Sequence, residues 1–528
     1  MRDGTFHLRG LAAGLLVAAG GLATTAYAQP APAQLCVNPG GTSGCYATIQ
    51  GAIDAAVPGS AVSVARGIYQ GGIVISKSLT LQGARAETTI VDGAGANQAI
   101  TVQQTGPVTI SGFTLENAKT TGLYIQDSSN VTVSGNIVQL NDSNLAPAPL
   151  QATCARAVPL KRAGCGEGIH LDGVMSSIVA DNLVTLNNGG ILLTDETGAT
   201  HDNLIARNLV QSNGLGSGIA LASHPAGSGD RGSLPAYGVY HNRVEHNVST
   251  NNGAAGVGLF APAPGTATYE NTVLRNTLAK NGMPGVTLHS HAPGQNLNGN
   301  VIAENSISSN GADPEAKADA SGILIFSDLS NGAAPITSIT IARNQITAES
   351  VGIFVNGGSP SLSLSSNDLG GNDVGVQNAG SGTIDANSNY WGCSDLAGGG
   401  CAPVKGAVSF TSPAPAPASG LGPMALSRGS RVSGLLANRT AGATASHELL
   451  ADGASYPLAA TFSNSDDSGL VGITVYGPLG TNVASATAKN GFATLSVPSK
   501  KVQTLTVLVF NYLPATQVKY SLNVYWPD

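Results

Sequence analysis

The sequence predicts an all-β chain whose greater part is a β-solenoid, followed by a small antiparallel β-sandwich. Three observations carry this. Eight segments begin Gly-apolar-x-apolar: Gly122-Leu123-Tyr124-Ile125, then those starting at Gly168, Gly190, Gly218, Gly256, Gly285, Gly322 and Gly352, with Gly375-Val376 a partial ninth. Between them recur the pairs Asn136/Asn141, Asn182/Asn187, Asn208/Asn213, Asn247/Asn252, Asn276/Asn281 and Asn305/Asn310, with Asn344 and Asn367/Asn372 closing the series. Past a Pro/Ala-rich stretch the pattern changes to longer alternating runs such as Leu470–Tyr476 and Thr504–Phe510. A variable period with short strands and Gly or Asn at the corners is the mark of a solenoid.

Alternation along each strand places the residues one and three after the Gly inside the coil and those two and four after it outside. The Asn series reads as structural, since Asn tolerates left-handed corners and its stacked amides bond along the axis. The Gly fits a corner too tight for a Cβ.

The elements follow in order. Arg2, Arg9, the apolar run Leu11–Ala23 and Ala26-Tyr27-Ala28 predict a secretory signal over residues 1–28, cleaved after Ala28, and so a secreted or periplasmic protein. Residues 29–411 are assigned to the solenoid. Gln50–Val57, ended by Pro58-Gly59, predicts a short helix covering the open first coil, which would otherwise expose an apolar core. Asn387–Cys393, with Tyr390-Trp391, predicts the closing coil. Residues 412–425 read as a semi-rigid linker and 426–528 as the sandwich. Cys36/Cys45, Cys154/Cys165 and Cys393/Cys401 pair as local disulfides in an exported chain, with zinc as the alternative reading. Charged residues make up 10% of the chain and the formal charge is -7, which excludes a nucleic-acid partner. No later apolar run is long enough to span a bilayer, and a monomer is expected.

The Gly-[Ile/Val]-x-Leu … Asn-x-x-x-x-Asn repeat, over roughly residues 35–411, resembles the right-handed parallel β-helix proteins of the pectin-lyase-like superfamily. These include carbohydrate-binding proteins and sugar hydrolases. A narrower resemblance is to copper-associated periplasmic accessory proteins of nitrous oxide reduction. Gly472–Pro478 and Tyr520–Val524 are similar to bacterial prepeptidase C-terminal domains, in which Asp466-Asp467 is either a solvated loop or a calcium site. The enzyme motifs of the superfamily do not transfer. The helix has no Asp-Asp or Gly-His-Gly of polygalacturonases and no Trp-Ile-Asp-His of calcium pectate lyases. Tyr237-Gly238-Val239-Tyr240-His241 lacks the Asp-Pro of mannuronan epimerases.

Eight histidines remain after the signal, and all but His447 lie between His170 and His291. The repeat places Tyr124 beside His170 at the second outward position. Gln126, Asp172, Thr194, Ala222, Phe260, His289 and Phe326 line up at the fourth, and Glu196, His224, Pro262, His291 and Asp328 lie two residues further on. One face lined with Tyr, His, Asp, Glu and Phe suits a polysaccharide, the expected partner. On a uronic-acid polymer the chemistry is proton abstraction beside a carboxylate, followed by elimination or C5 epimerisation. His170 is the candidate base, held by Asp172, with Tyr124 the acid, and His224 near Glu196 is the rival base. Lys161 or Arg231 would neutralise the carboxylate, with Asp230, Phe260, Phe326, His289 and His291 as further sugar contacts. Asp172 with Glu196 keeps glycoside hydrolysis open. A non-catalytic binding, adhesin-like or metal-handling protein is the remaining reading. His289, His291 and Asp328 form a candidate set for a divalent metal, calcium, zinc or copper being the ions considered. The charged series Asp181, Arg207, His246, Arg275, Glu304 and Arg343 reads as a solvated face.

Overall fold

The computed structural model describes residues 32–142, 166–223, 237–358, 361–393, 400–417, 424–426, 431–436, 443–452, 456–465, 467–477, 481–498, 502–514 and 516–524. The expected signal peptide, the Cys154/Cys165 pair, Lys161, His224, Asp230, Arg231, Asp466 and part of the linker lie outside these residues.

The described residues between 34 and 405 wind into stacked coils whose strands form three long parallel sheets of twelve, twelve and ten strands. With about 4.8 Å between paired strands, twelve rungs extend over roughly 55 Å. Inward residues such as Leu123, Ile125, Ile169, Leu171, Leu259 and Ile323 have at most 0% exposure and form one continuous core. The alternation read from the sequence is therefore the alternation observed.

The Asn series is a hydrogen-bonded ladder. The Asn208 amide N–H and its Nδ2 both donate to Asn247 Oδ1, at 2.9 and 3.0 Å, while Asn208 Nδ2 also reaches the Val179 carbonyl of the preceding coil. Asn276 and Asn305 repeat the pattern. A third ladder runs through Asn203, Asn242, Asn271 and Asn300. The left-handed corner residue differs from the expectation: it is the residue before the ladder Asn, for example Asp181, Arg207, His246, Arg275, Glu304 and Arg343, at φ between 54° and 60°. A left-handed non-Gly residue costs about 1–2 kcal/mol, and the two or three buried bonds of the adjoining Asn, near 1 kcal/mol each, offset it. Gly at the strand start answers to space. A Cβ on Gly122 would lie 2.6 Å from Asn141 Nδ2 and 2.8 Å from the Gly168 carbonyl.

The ends are closed as expected. Helix Ile49–Ala55, with Thr48 Oγ1 accepting from the Gly51 amide, buries Ile49, Ala52 and Ile53 against the first coil. At the other end Trp391 is fully buried against Phe410, beside the Cys393–Cys401 disulfide; Cys36–Cys45 pins the first strand. No helix among the described residues is long and apolar enough to cross a membrane.

The C-terminal strands make a five-stranded and a four-stranded sheet around a separate core that includes Leu449, Ile473, Val507 and Leu522. All their pairings are antiparallel except Met424–Leu426 with Ala443–Asp452. This sandwich lies on the solenoid corner that carries the charged series, which corrects the solvated reading. Arg207 is 1% exposed, ion-paired to Asp181, with its guanidinium carbon 5.0 Å from the Phe510 ring centre and 4.4 Å from that of Tyr512. The Tyr476 hydroxyl donates to Asp181 Oδ1 at 2.6 Å, and Thr444 Oγ1 lies 3.3 Å from Glu245 Oε1. Burial holds the His246 imidazole well below its usual value, helped by Arg275 and Arg207. Asp181, Arg275, Glu304 and Arg343 keep substantial exposure.

One rung of the ladder carries Glu349 in place of Asn, accepting from the Asn310 amide and Nδ2. Burial pushes its carboxyl up to about 7, against the lowering effect of those bonds. A carboxyl raised in the fold from an ordinary 4.5 contributes stability that is complete at low pH and lost as pH rises through 7. Glu349→Gln is therefore expected to be more stable than the parent at pH 8 by on the order of 1–3 kcal/mol, with little difference at pH 4, in denaturant titrations at the two pH values. For the sandwich contact, Arg207→Ala should lower unfolding stability by about 3–5 kcal/mol, because Asp181 is left partly buried without its cation. An unchanged denaturation midpoint would count against that contact.

Candidate functional site

Strand register decides which outward side chains meet. Tyr124 pairs across with His170, and His170 with Leu192; Gln126, Asp172, Thr194, Ala222, Phe260, His289, Phe326 and Asn356 follow one another on successive rungs. Four rungs separate the His170 strand from the His289 strand, about 19 Å. Two clusters of polar side chains form on this sheet.

The first centres on Asp172. The carboxylate is fully buried, with Oδ2 accepting from the Tyr124 hydroxyl at 2.8 Å and Oδ1 from the Thr197 amide at 2.9 Å. Burial raises its carboxyl above the ordinary value and outweighs both bonds. His170, 5% exposed, sits with its ring centre 5.1 Å from that of Tyr124 and its Nε2 2.8 Å from Thr194 Oγ1. The acidic neighbour acting on Asp172 is Asp127, whereas Glu196 acts on Glu167. Burial, then Asp142 and Glu196, push the Glu167 carboxyl up to about 8, and burial pushes Asp142 up to about 7. The repeat gave no hint of Glu167 and Asp142, because one precedes the strand's Gly and the other follows the ladder Asn141.

The second cluster centres on His289, which is 1% exposed. Its ring stands edge-on between Phe260 and Phe326, at 5.6 and 5.2 Å between centres. His289 Nδ1 lies 3.3 Å from His291 Nε2, and on the other side of the ring Asp313 Oδ2 lies 2.8 Å from His289 Nε2. Glu315 Oε1 is 3.0 Å from His291 Nδ1. Asp313 and Glu315 come from the insertion between Asn310 and Gly322, whose Ala316 and Ala318 pack on Leu324, Phe326 and Phe354. Two expectations change here. Phe326 is 7% exposed beneath that insertion and is no open platform for a sugar ring. Asp328 stands one rung beyond His291, but its carboxylate accepts from the Ser330 amide and hydroxyl and from Asn331 Nδ2 in a 3-10 turn, so Glu315 takes its place in the cluster. Outward residues of this face that keep some exposure include half-buried Tyr124, Gln126, Ala220, Phe260, His291, Asp328 and Asn356. Beyond the second cluster lies a groove of about 400 Å³ lined by Glu315, Lys317, Phe326, Asp328 and Asn356.

A third group was also missed. His201, Tyr240 and Tyr269 stack on consecutive rungs, 4.9 and 5.1 Å apart, with His241 2.7 Å from Glu270. They sit at corner positions adjoining the unanticipated third Asn ladder.

Residues 87–273 match the family described as right handed beta helix region. The solenoid is a right-handed parallel β-helix. No curated protein matches the sequence. Solved structures similar to it include the A-module of a mannuronan C-5 epimerase from Azotobacter vinelandii, at 17% identity and a TM-score of 0.39, covering 63% of this chain and 95% of that one. An alginate lyase from a Paenibacillus species aligns at 13% identity and a TM-score of 0.35, over 71% and 99% of the two chains. The pectate lyase Pel9A aligns at 15% identity and a TM-score of 0.35, over 65% and 80%.

Tyr124→Phe removes one donor from a fully buried carboxylate. The expected loss of stability is about 1–3 kcal/mol, larger at pH 8 than at pH 4 because the bond favours ionised Asp172. Equal losses at both pH values in chemical denaturation would contradict a bond to the carboxylate.

Proposed function

We propose that this chain acts on a uronic-acid-containing polysaccharide by proton abstraction beside the sugar carboxylate, as a lyase or C5 epimerase. The observation that supports the reading is the Tyr124–Asp172 hydrogen bond with His170 on the adjoining rung. In this mechanism a base removes the proton from C5, and an acid either protonates the departing O4 or returns a proton to the opposite face of C5. His170 is the base, its ring plane fixed by Thr194. Tyr124 is half-buried and is the acid, its phenol aimed by Asp172. Lys161 and Arg231 remain the candidates for neutralising the carboxylate, and His224 the alternative base. Phe260 is the proposed sugar contact on the accessible face.

Hydrolysis by Asp172 and Glu196 is less well supported. A nucleophile or general base must reach the sugar or its water, and Asp172 has no exposed surface and two donors already bound. The two disulfides among the described residues fit an oxidising compartment, in line with a secreted or periplasmic protein.

Incubation with alginate, polygalacturonate and glucuronan should give ultraviolet-absorbing unsaturated ends, or deuterium exchange at C5 in heavy water without chain cleavage. His170→Ala and Tyr124→Phe should each lower turnover by about 100-fold or more while still binding the polymer. If every polymer stays intact and unexchanged, and His170→Ala binds as the parent does, the protein is a binding module.

A further inference from the structure

We infer that His289, His291 and Glu315 form a binding site for a zinc-type divalent ion, oriented by Asp313. The inference is independent of the polysaccharide reading.

The donor atoms converge. His289 Nδ1 and His291 Nε2 are 3.3 Å apart, and Glu315 Oε2 is 3.8 Å from His289 Nδ1. In a tetrahedral site with bonds of about 2.0–2.1 Å, neighbouring donors stand roughly 3.3–3.4 Å apart. The two imidazole nitrogens already have that spacing, and the Glu315 side chain is exposed enough to close the remainder by rotation.

The buried carboxylate behind His289 is the second observation. Asp313 is 0% exposed and faces His289 Nε2 at 2.8 Å. Metal-bound histidines characteristically give their other ring N–H to a carboxylate, which fixes the tautomer and turns the opposite lone pair toward the metal. A proton on Nε2, facing Asp313, leaves the Nδ1 lone pair of His289 toward His291 Nε2, the contact that a metal ion would replace. Asp313 is itself held: its Oδ1 accepts from the amides of Glu315 and Ala316, and Asp313 and Ala318 pair as an antiparallel bridge. The same short turn thus sets both the orienting carboxylate and the ligand Glu315. Phe260 and Phe326 confine the His289 ring, so little ordering remains for the ion to impose.

Two imidazoles and one carboxylate select zinc, copper or iron over calcium or magnesium, which favour all-oxygen shells. Three protein donors leave a tetrahedral ion one position for water or a ligand, the arrangement of catalytic sites and not of closed structural ones. Glu315, shared with the groove of about 400 Å³, places that position within reach of a molecule held there.

The test uses the full chain, stripped with chelator and titrated with zinc chloride by calorimetry, with elemental analysis of the dialysed complex. One equivalent is expected, with a rise in melting temperature that grows with free zinc. His291→Ala and Glu315→Gln alter partly exposed side chains and should fold; each should abolish stoichiometric binding. Asp313→Asn should weaken it by about 10–100-fold without removing it, and Asp328→Asn should keep one ion. Absence of bound zinc in the parent, or an unchanged equivalent in both His291→Ala and Glu315→Gln, overturns the assignment. Calcium binding that displaces zinc would overturn it as well.

Discussion

Corner amides are the groups a solenoid has most difficulty satisfying, because each coil turns away from its sheets before its backbone can pair. Here a side-chain oxygen from the next coil accepts both the backbone N–H and the side-chain amide of the Asn before it. That repeated contact allows ordinary residues such as Asp181, Arg207 and Glu304 to occupy left-handed corners. It also prevents slippage. A slip of one residue would carry each Asn out of the buried column and turn every inward leucine or isoleucine outward. The alignment of Tyr124 with His170, and of Phe260 with His289 and Phe326, is a consequence of this column.

What could be read from the sequence follows the same division. Gly and Asn recur at fixed offsets from each strand, so strand positions, register and the inside or outside sense of Tyr124, His170, Asp172 and His289 were legible. Asp313 and Glu315 were not, because they lie in the long insertion between Asn310 and Gly322, where no offset is defined. The insertion is visible as a spacing anomaly, the gaps after Asn187, Asn213, Asn252 and Asn281 being far shorter, but a gap does not show where its side chains fold back. Phe326 followed the pattern in direction and departed from it in exposure for the same reason.

The charged corner shows a different limit. Asp181, Arg207 and His246 have the composition of a wet surface, yet Tyr476, Phe510 and Tyr512 bury two of them from nearly 300 residues away. Nothing local marks a residue as the landing point of a distant sandwich. The polar character is retained under cover because Asp181 collects both the Arg207 guanidinium and the Tyr476 hydroxyl, so the buried charges are matched.

Stacking by whole coils gives this architecture the property of a graduated rod. The groups around His170 and those around His289 are each assembled within three turns, and the rung of Ala220 and Ala222 between them contributes only separation. Inserting or deleting a complete turn between them would change their distance in steps of about 4.8 Å while leaving both chemistries intact. The interval between two reactive points is therefore an adjustable dimension of the fold, set by counting turns and not by reshaping either end.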